Sequence, residues 1–297
     1  MDVLRRALEL SPPDATTLPA WWEATRGARA SGRSTIERAV IGGALADRIA
    51  FAFAGGYHEA LQQLVPALAG NRASLCATEE GGNHPRAIKT TLTRVGDHHE
   101  LTGSKTWSTA ADAADVLLVI ASVGERDGHN QLAMASVRAG APGVTLTPSS
   151  APFVPEIPHA RVTLDKVIVT EVHAGDGYDA YLKPFRTIED LHVHGALLGY
   201  LLGVARRHGW SEWIPDLAIA IAAARALAGD DPKAATTHLA LAGLLEQTRR
   251  LVAPIEERWQ GSADDELTRW QRDRPLFKVA STARTARLAR AKEQLKL

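Results

Sequence analysis

Residues 75–90, LCATEEGGNHPRAIKT, set a hydroxyl (Thr78), two carboxylates (Glu79, Glu80) and two glycines (Gly81, Gly82) side by side. Such a run is a poor helix interior, because glycine there costs roughly 1 kcal/mol relative to alanine. Glycines also let a backbone approach a ligand closely, and their exposed N–H groups suit an anion. From these residues alone the stretch is either a surface turn or a ligand loop. A second group of interest is His192 and His194. Two positions on a helix differ by about 200°, so this pair is not expected to share a metal. His98 and His99 are expected in a turn between strands. No P-loop, no G-x-G-x-x-G fingerprint and no G-x-S-x-G elbow occurs.

The elements that must position these residues fall into three zones. From residue 1 to about residue 70 the apolar spacing is helical, with Ser34 and Glu37 at capping-box distance and the Gly55–Gly56 pair expected to separate two helices. From about residue 71 to 172 short runs rich in Val, Ile, Thr and Leu alternate with Gly, Asp, Asn and Pro. They predict an antiparallel β-barrel or sandwich rather than a parallel sheet. From 173 to 297 amphipathic and alanine-rich segments predict a bundle of about four helices. The expected class is therefore α+β, with an N-terminal helical domain (1–70), a central β-domain (71–172) and a C-terminal helical bundle (173–297).

Composition narrows the function. At 297 residues the chain can bury a sizeable core. Lys+Arg and Asp+Glu each total 34, so the zero net charge points to no nucleic-acid partner. A single cysteine, Cys76, rules out an internal disulfide framework and fits a reducing compartment. The opening MDVLRRALELSPPD lacks an apolar stretch of signal-peptide type, and the most apolar run is too short to cross a bilayer. A soluble, cytoplasmic protein is expected. The arginines of the last helical segment, Arg284, Arg287 and Arg290, are expected on a solvated face or a subunit contact.

The zone order and two motifs resemble the acyl-CoA dehydrogenase family of flavoproteins. CATEEGG (76–82) is similar to the family's C-x-T-E-P-G-x-G. LTGSKTWSTAADAADVLLVIA (101–121) is similar to its L-x-G-x-K-x-W-I-T-N followed by an A-D-x-x-x-V strand. VTLDKVIV (162–169) resembles the strand that closes the family's β-domain. The detailed likeness covers roughly the middle third of the chain.

That resemblance implies FAD as cofactor and an acyl-CoA or related acyl thioester as substrate. In the family a carboxylate removes the α-proton while the β-hydrogen leaves as hydride to flavin N5. By motif position, the backbone around Cys76, Ala77 and Thr78 meets the flavin's pyrimidine edge, and the Thr78 hydroxyl bonds the ring near N5. Trp107 covers one flavin face, and Ser108 and Thr109 meet the ring edge. The late Y-E-G-T glutamate of many members is absent here. A second subgroup carries its base on a helix of the form E-R-x-x-x-A-x-G-x-x-G. Laid on EDLHVHGALLG (189–199), that helix puts the base at Glu189 and its last glycine at Gly199. An apolar setting raises the pKa of such a carboxylate.

The resemblance further implies an electron-transferring flavoprotein as electron acceptor and a homo-oligomer, or a hetero-oligomer with a longer homologue. Three departures from the family matter, and the short N-terminal zone together with the missing F-G-G-x-G segment lowers the expected FAD affinity. Asp190 stands where the subgroup has arginine, and the N-terminal zone is short with no F-G-G-x-G segment near the end. His84 and Pro85 replace a Ser-Asp pair that helps bind phosphates, which leaves His84 as the candidate donor to substrate. Two other readings stay open: a non-catalytic partner subunit of an active homologue, and a flavin monooxygenase on the same scaffold.

Overall fold

The computed structural model describes residues 3–260 and 265–297. The first two residues of the N-terminal helical zone, and Ala263 and Asp264 at the start of one predicted helical segment, lie outside them. Two compact units result: one comprises 1–63 with 187–297, the other 64–186. The first and last helical zones of the sequence thus belong to one unit.

In that helical unit, α1 (Val3–Glu9), α2 (Leu18–Arg29), α3 (Thr35–Ala44) and α4 (Ile49–Leu64) precede the strands. Ser34 caps α3 by accepting from Glu37 N, and Glu37 Oε2 accepts from Arg33 N rather than from the cap's own N–H. α4 runs unbroken through Gly55 and Gly56, so the expected break there is corrected. The reason is packing. A Cβ on Gly56 would lie 2.7 Å from Val193 Cα, so the glycine serves a close helix crossing and not a stop. The chain returns as α5 (Lys183–Arg207), α6 (Ile214–Leu227), α7 (Ala235–Trp259), α8 (Asp265–Asp273) and α9 (Ser281–Leu295).

Two glycines let α3 and α5 touch backbone to backbone. A Cβ at Gly43 would meet Ala196 O at 1.8 Å, and one at Gly199 would meet Val40 O at 2.1 Å. Gly199→Ala should therefore force the helices apart and cost about 1–3 kcal/mol in urea unfolding. An unchanged midpoint would show that the crossing tolerates a methyl group.

The β-unit is one eight-stranded sheet. Its strands are β1 (Ala73–Cys76), β2 (Thr91–Val95), β3 (His98–Thr109), β4 (Val116–Arg126), β5 (His129–Arg138), β6 (Val144–Ser149), β7 (His159–Ile168) and β8 (Glu171–Val172). The order is β6-β7-β3-β2-β4-β5-β8, with β1 alongside β4. Most pairs are antiparallel, as the short spacings predict; β1 and β2 each run parallel to β4. His98 and His99 open β3 instead of forming the turn before it, a correction to the expectation, because Gly96 supplies the positive φ of 61° that the turn needs. The core of this unit gathers Cys76, Leu92, Leu101, Leu117, Val119, Val162 and Leu164.

Candidate functional site

β1 and β3 bring the two motifs together. Thr78 and Trp107 pair as an antiparallel bridge just beyond the end of β1. Thr106 N donates to Thr78 O at 2.8 Å, and Ser74 Oγ donates to Thr109 O at 2.8 Å. The glycine run forms a tight turn in which Glu79 and Gly82 exchange both backbone hydrogen bonds, at 2.9 and 2.8 Å, with Gly82 at a φ of 95°.

The sheet aims Trp107 outward by an irregularity. Leu101 and Lys105 face the interior, and strict alternation would put Trp107 there too. The register with β7 slips between Lys105 and Ser108, as at a β-bulge. Beyond the slip Trp107 is 39% exposed and Ser108 is buried. The Trp107 ring lies 4.5 Å from that of His159, which is itself buried and donates from Nδ1 to Ile157 O at 2.9 Å. Burial holds the His159 pKa below the usual histidine range.

The predicted residues divide by accessibility. Thr78 is half-buried and its hydroxyl makes no hydrogen bond among the described residues. Cys76 and Ala77 are buried, and burial pushes the Cys76 thiol up, against the smaller influence of Ser108 and Ser74. Ser108 turns its side chain into the same interior, where its Oγ has no conventional hydrogen-bond partner among the described residues, so only its main chain can serve a ring edge. Thr109 is half-buried. His84 is exposed and caps a short 3-10 turn by accepting from Arg86 N.

Sequence reading missed the ion pair that joins the motifs. Lys105, fully buried in β3, donates to Glu79 Oε1 at 2.7 Å and to Ile120 O at 2.6 Å. Glu79 also accepts from Lys89 N (2.8 Å) and Thr90 N (3.0 Å). Burial raises the Glu79 pKa, but the Lys105 charge and these donors outweigh it and hold the carboxyl below its ordinary range. The pair is thus ionised. Its signal in the sequence is a lysine at the inward phase of an alternating strand, where only a partnered charge survives.

In the helical unit, Glu189 lies well inside α5, behind a π-turn at Gly177–Leu182, and not in a first turn. It is half-buried and makes no hydrogen bond or ion pair among the described residues. Desolvation and the neighbouring Asp190 push its pKa up to about 8, with a smaller opposing pull from Arg284. Arg284 and Arg287 do not form the expected solvated face: both pair with the buried Asp190. Because α9 packs on α7 beside α5, the two long side chains have a buried carboxylate to satisfy.

His192 and His194 stay apart, as the helical angle predicts. His192 Nδ1 donates to Ile188 O at 2.8 Å, and His194 Nε2 donates to Thr248 Oγ1 at 2.8 Å. Burial lowers both pKa values to about 4. No cluster of three potential metal ligands exists among the described residues, and no described helix is long and apolar enough to cross a membrane.

Residues 74–167, the segment that carries both motifs, match the acyl-CoA dehydrogenase middle domain. A benzylmalonyl-CoA dehydrogenase of Aromatoleum aromaticum is 32% identical over 149 residues. That match covers 48% of the present chain but 37% of the relative. Beyond the middle domain the likeness is one of fold. Butyryl-CoA dehydrogenase of Megasphaera elsdenii superposes with a TM-score of 0.66 at 17% identity, over 94% of this chain and 87% of that one. A prolyl-acyl-carrier-protein oxidase does so with a TM-score of 0.67 at 17% identity, over 97% and 96%. The helix–sheet–helix order of the acyl-CoA dehydrogenases therefore extends over the chain.

Proposed function

We propose that the protein is an FAD-dependent oxidoreductase of the acyl-CoA dehydrogenase type, acting on the Cα–Cβ bond of an acyl thioester. The observation that carries this reading is the Thr78–Trp107 bridge of the middle domain. It presents an exposed indole on a rigid strand beside a hydroxyl with no hydrogen bond among the described residues. A flat aromatic ring stacks on that indole and accepts from that hydroxyl, so these residues fit an isoalloxazine.

Bound FAD supplies the two-electron acceptance that no side chain offers. The chain does the rest. Trp107 covers one face of the ring and keeps water from it. The main chain of Cys76, Ala77, Ser108 and Thr109 borders the ring edge, and Thr78 donates to it. Glu189, as a free carboxylate, takes the α-proton of the thioester. His84 offers an imidazole to the substrate's phosphates. An electron-transferring flavoprotein is the acceptor in this reading.

A visible absorption spectrum, taken as purified and again after adding FAD, tests the assignment. Flavin bands are expected, and Trp107→Ala should weaken FAD binding about tenfold in equilibrium dialysis, the size of a lost ring stack. A colourless protein that takes up no FAD overturns the reading and leaves a non-catalytic partner subunit in its place.

A further inference from the structure

Asp190 and Glu189 are neighbours on α5 with opposite fortunes. Both Asp190 oxygens are occupied. Oδ1 accepts from Arg284 Nε at 3.0 Å and Nη2 at 2.7 Å, and Oδ2 accepts from Arg287 Nη2. Two further guanidinium nitrogens are directed elsewhere: Arg284 Nη1 to Phe277 O at 2.8 Å and Arg287 Nη1 to Thr187 Oγ1 at 3.4 Å. Glu189, one residue away, makes neither a hydrogen bond nor an ion pair among the described residues. Two half-buried cations thus bind Asp190, while the neighbouring Glu189 carboxylate, which feels the charge of Arg284, has no partner among the described residues.

A half-buried carboxylate within the field of Arg284, yet with no partner among the described residues, is not the arrangement that electrostatics favours by default. A released guanidinium would swing toward Glu189 and hold it as a weak base, since an opposite charge within about 4–6 Å lowers a carboxyl pKa by about 1–3 units. We infer that Asp190 is a positioning residue that claims Arg284 and Arg287 and so leaves the Glu189 carboxylate unpaired and able to accept a proton. This rests on the reading of Glu189 as the base. The anion replaces, at this position, the arginine expected from the family helix.

Other groups do not substitute for this device. On α5, His194 is bonded to Thr248 of α7 and is held neutral by burial. From α7, His238 meets Thr187 Oγ1 at 3.3 Å and the Pro232 carbonyl at 2.9 Å. From α9 only Arg284 exerts a charge on Glu189, and that influence is smaller than those of burial and Asp190.

The test is a carbon-detected NMR titration of side-chain carboxyls in the full chain, with the Glu189 resonance identified by its loss in Glu189→Gln. In Asp190→Asn the Glu189 midpoint should fall by about 1–3 pH units. In Asp190→Asn/Arg284→Met/Arg287→Met it should return to the wild-type side. Should Asp190→Asn fail to fold, Asp190→Asn/Arg287→Met, with a single unclaimed guanidinium, carries the same prediction. A midpoint that stays put or rises in the folded variant overturns the inference. The base reading is judged separately: bleaching that persists in Glu189→Gln removes it, whatever Asp190 does to the titration.

Discussion

Glu189→Gln is expected to abolish substrate-driven bleaching of the bound flavin while making the fold more stable at pH 8. The loss of rate should be at least about 10²- to 10⁴-fold, the usual range for a removed general base. A panel of straight-chain, branched and aryl acyl-CoA thioesters, scanned anaerobically, provides the measurement. In the wild type the rate should climb as pH rises through about 8, because only the deprotonated carboxylate accepts a proton and its pKa is pushed up to about 8. The stability gain follows from the same shift. A carboxyl whose folded pKa is raised holds its proton in the native state while the unfolded chain has released it. Wild-type stability therefore declines between the ordinary carboxylate range and pH 8, and the glutamine variant lacks that decline. The variant should lead by about 1 kcal/mol or more at pH 8 and by little at pH 4. A bleaching rate within tenfold of wild type refutes the base assignment, and a pH-independent stability difference refutes the shifted carboxyl.

Breaking the Glu79–Lys105 pair should be the most damaging single change in the β-unit. Lys105→Met strips Glu79 of its one ionic partner among the described residues in a buried setting, and removing one member of such a pair costs about 3–5 kcal/mol. That is a large share of the about 5–15 kcal/mol that holds a typical domain folded. Glu79→Gln/Lys105→Met leaves no buried charge and should recover most of the loss in urea unfolding. The pH behaviour separates the two. The carboxyl of Glu79 is held below its ordinary range, so its contribution is intact above the unfolded carboxylate pKa and fades as pH falls through the lower folded value. Wild type should lose stability over that acidic window more steeply than the double variant. A single variant as stable as the double would show that water, not Lys105, satisfies Glu79. Because the pair lies one residue from Thr78 and two from Trp107, Lys105→Met should also lower flavin retention, which absorbance of the purified variant reports.

Much of the architecture was legible in the residues. Period-two runs of β-branched residues between turn formers became β2 to β7, and 3.6-residue apolar spacing became the helices, because both patterns follow from backbone geometry local to each segment. The motif pair also implied that Thr78 lies near Trp107, and the two form a bridge. What the linear order could not convey depends on partners far along the chain. The Gly55–Gly56 pair looked like a helix break because its true reason, the approach of Val193, lies in another helix. Arg284 and Arg287 looked solvated because the carboxylate they bind belongs to α5.

Apart from the Gly55–Gly56 and His98–His99 segments, local sterics and hydrophobic spacing act within one element and so already mark the helices, the strands and the side chains available for chemistry. Contacts between elements, by contrast, make a register slip against β7 turn Trp107 outward, let Lys105 neutralise Glu79, and give Asp190 two arginines while Glu189 has none among the described residues. Those outcomes are set by which distant charge or backbone edge arrives within a few ångströms, and Coulomb energy and desolvation depend on that distance rather than on separation along the chain.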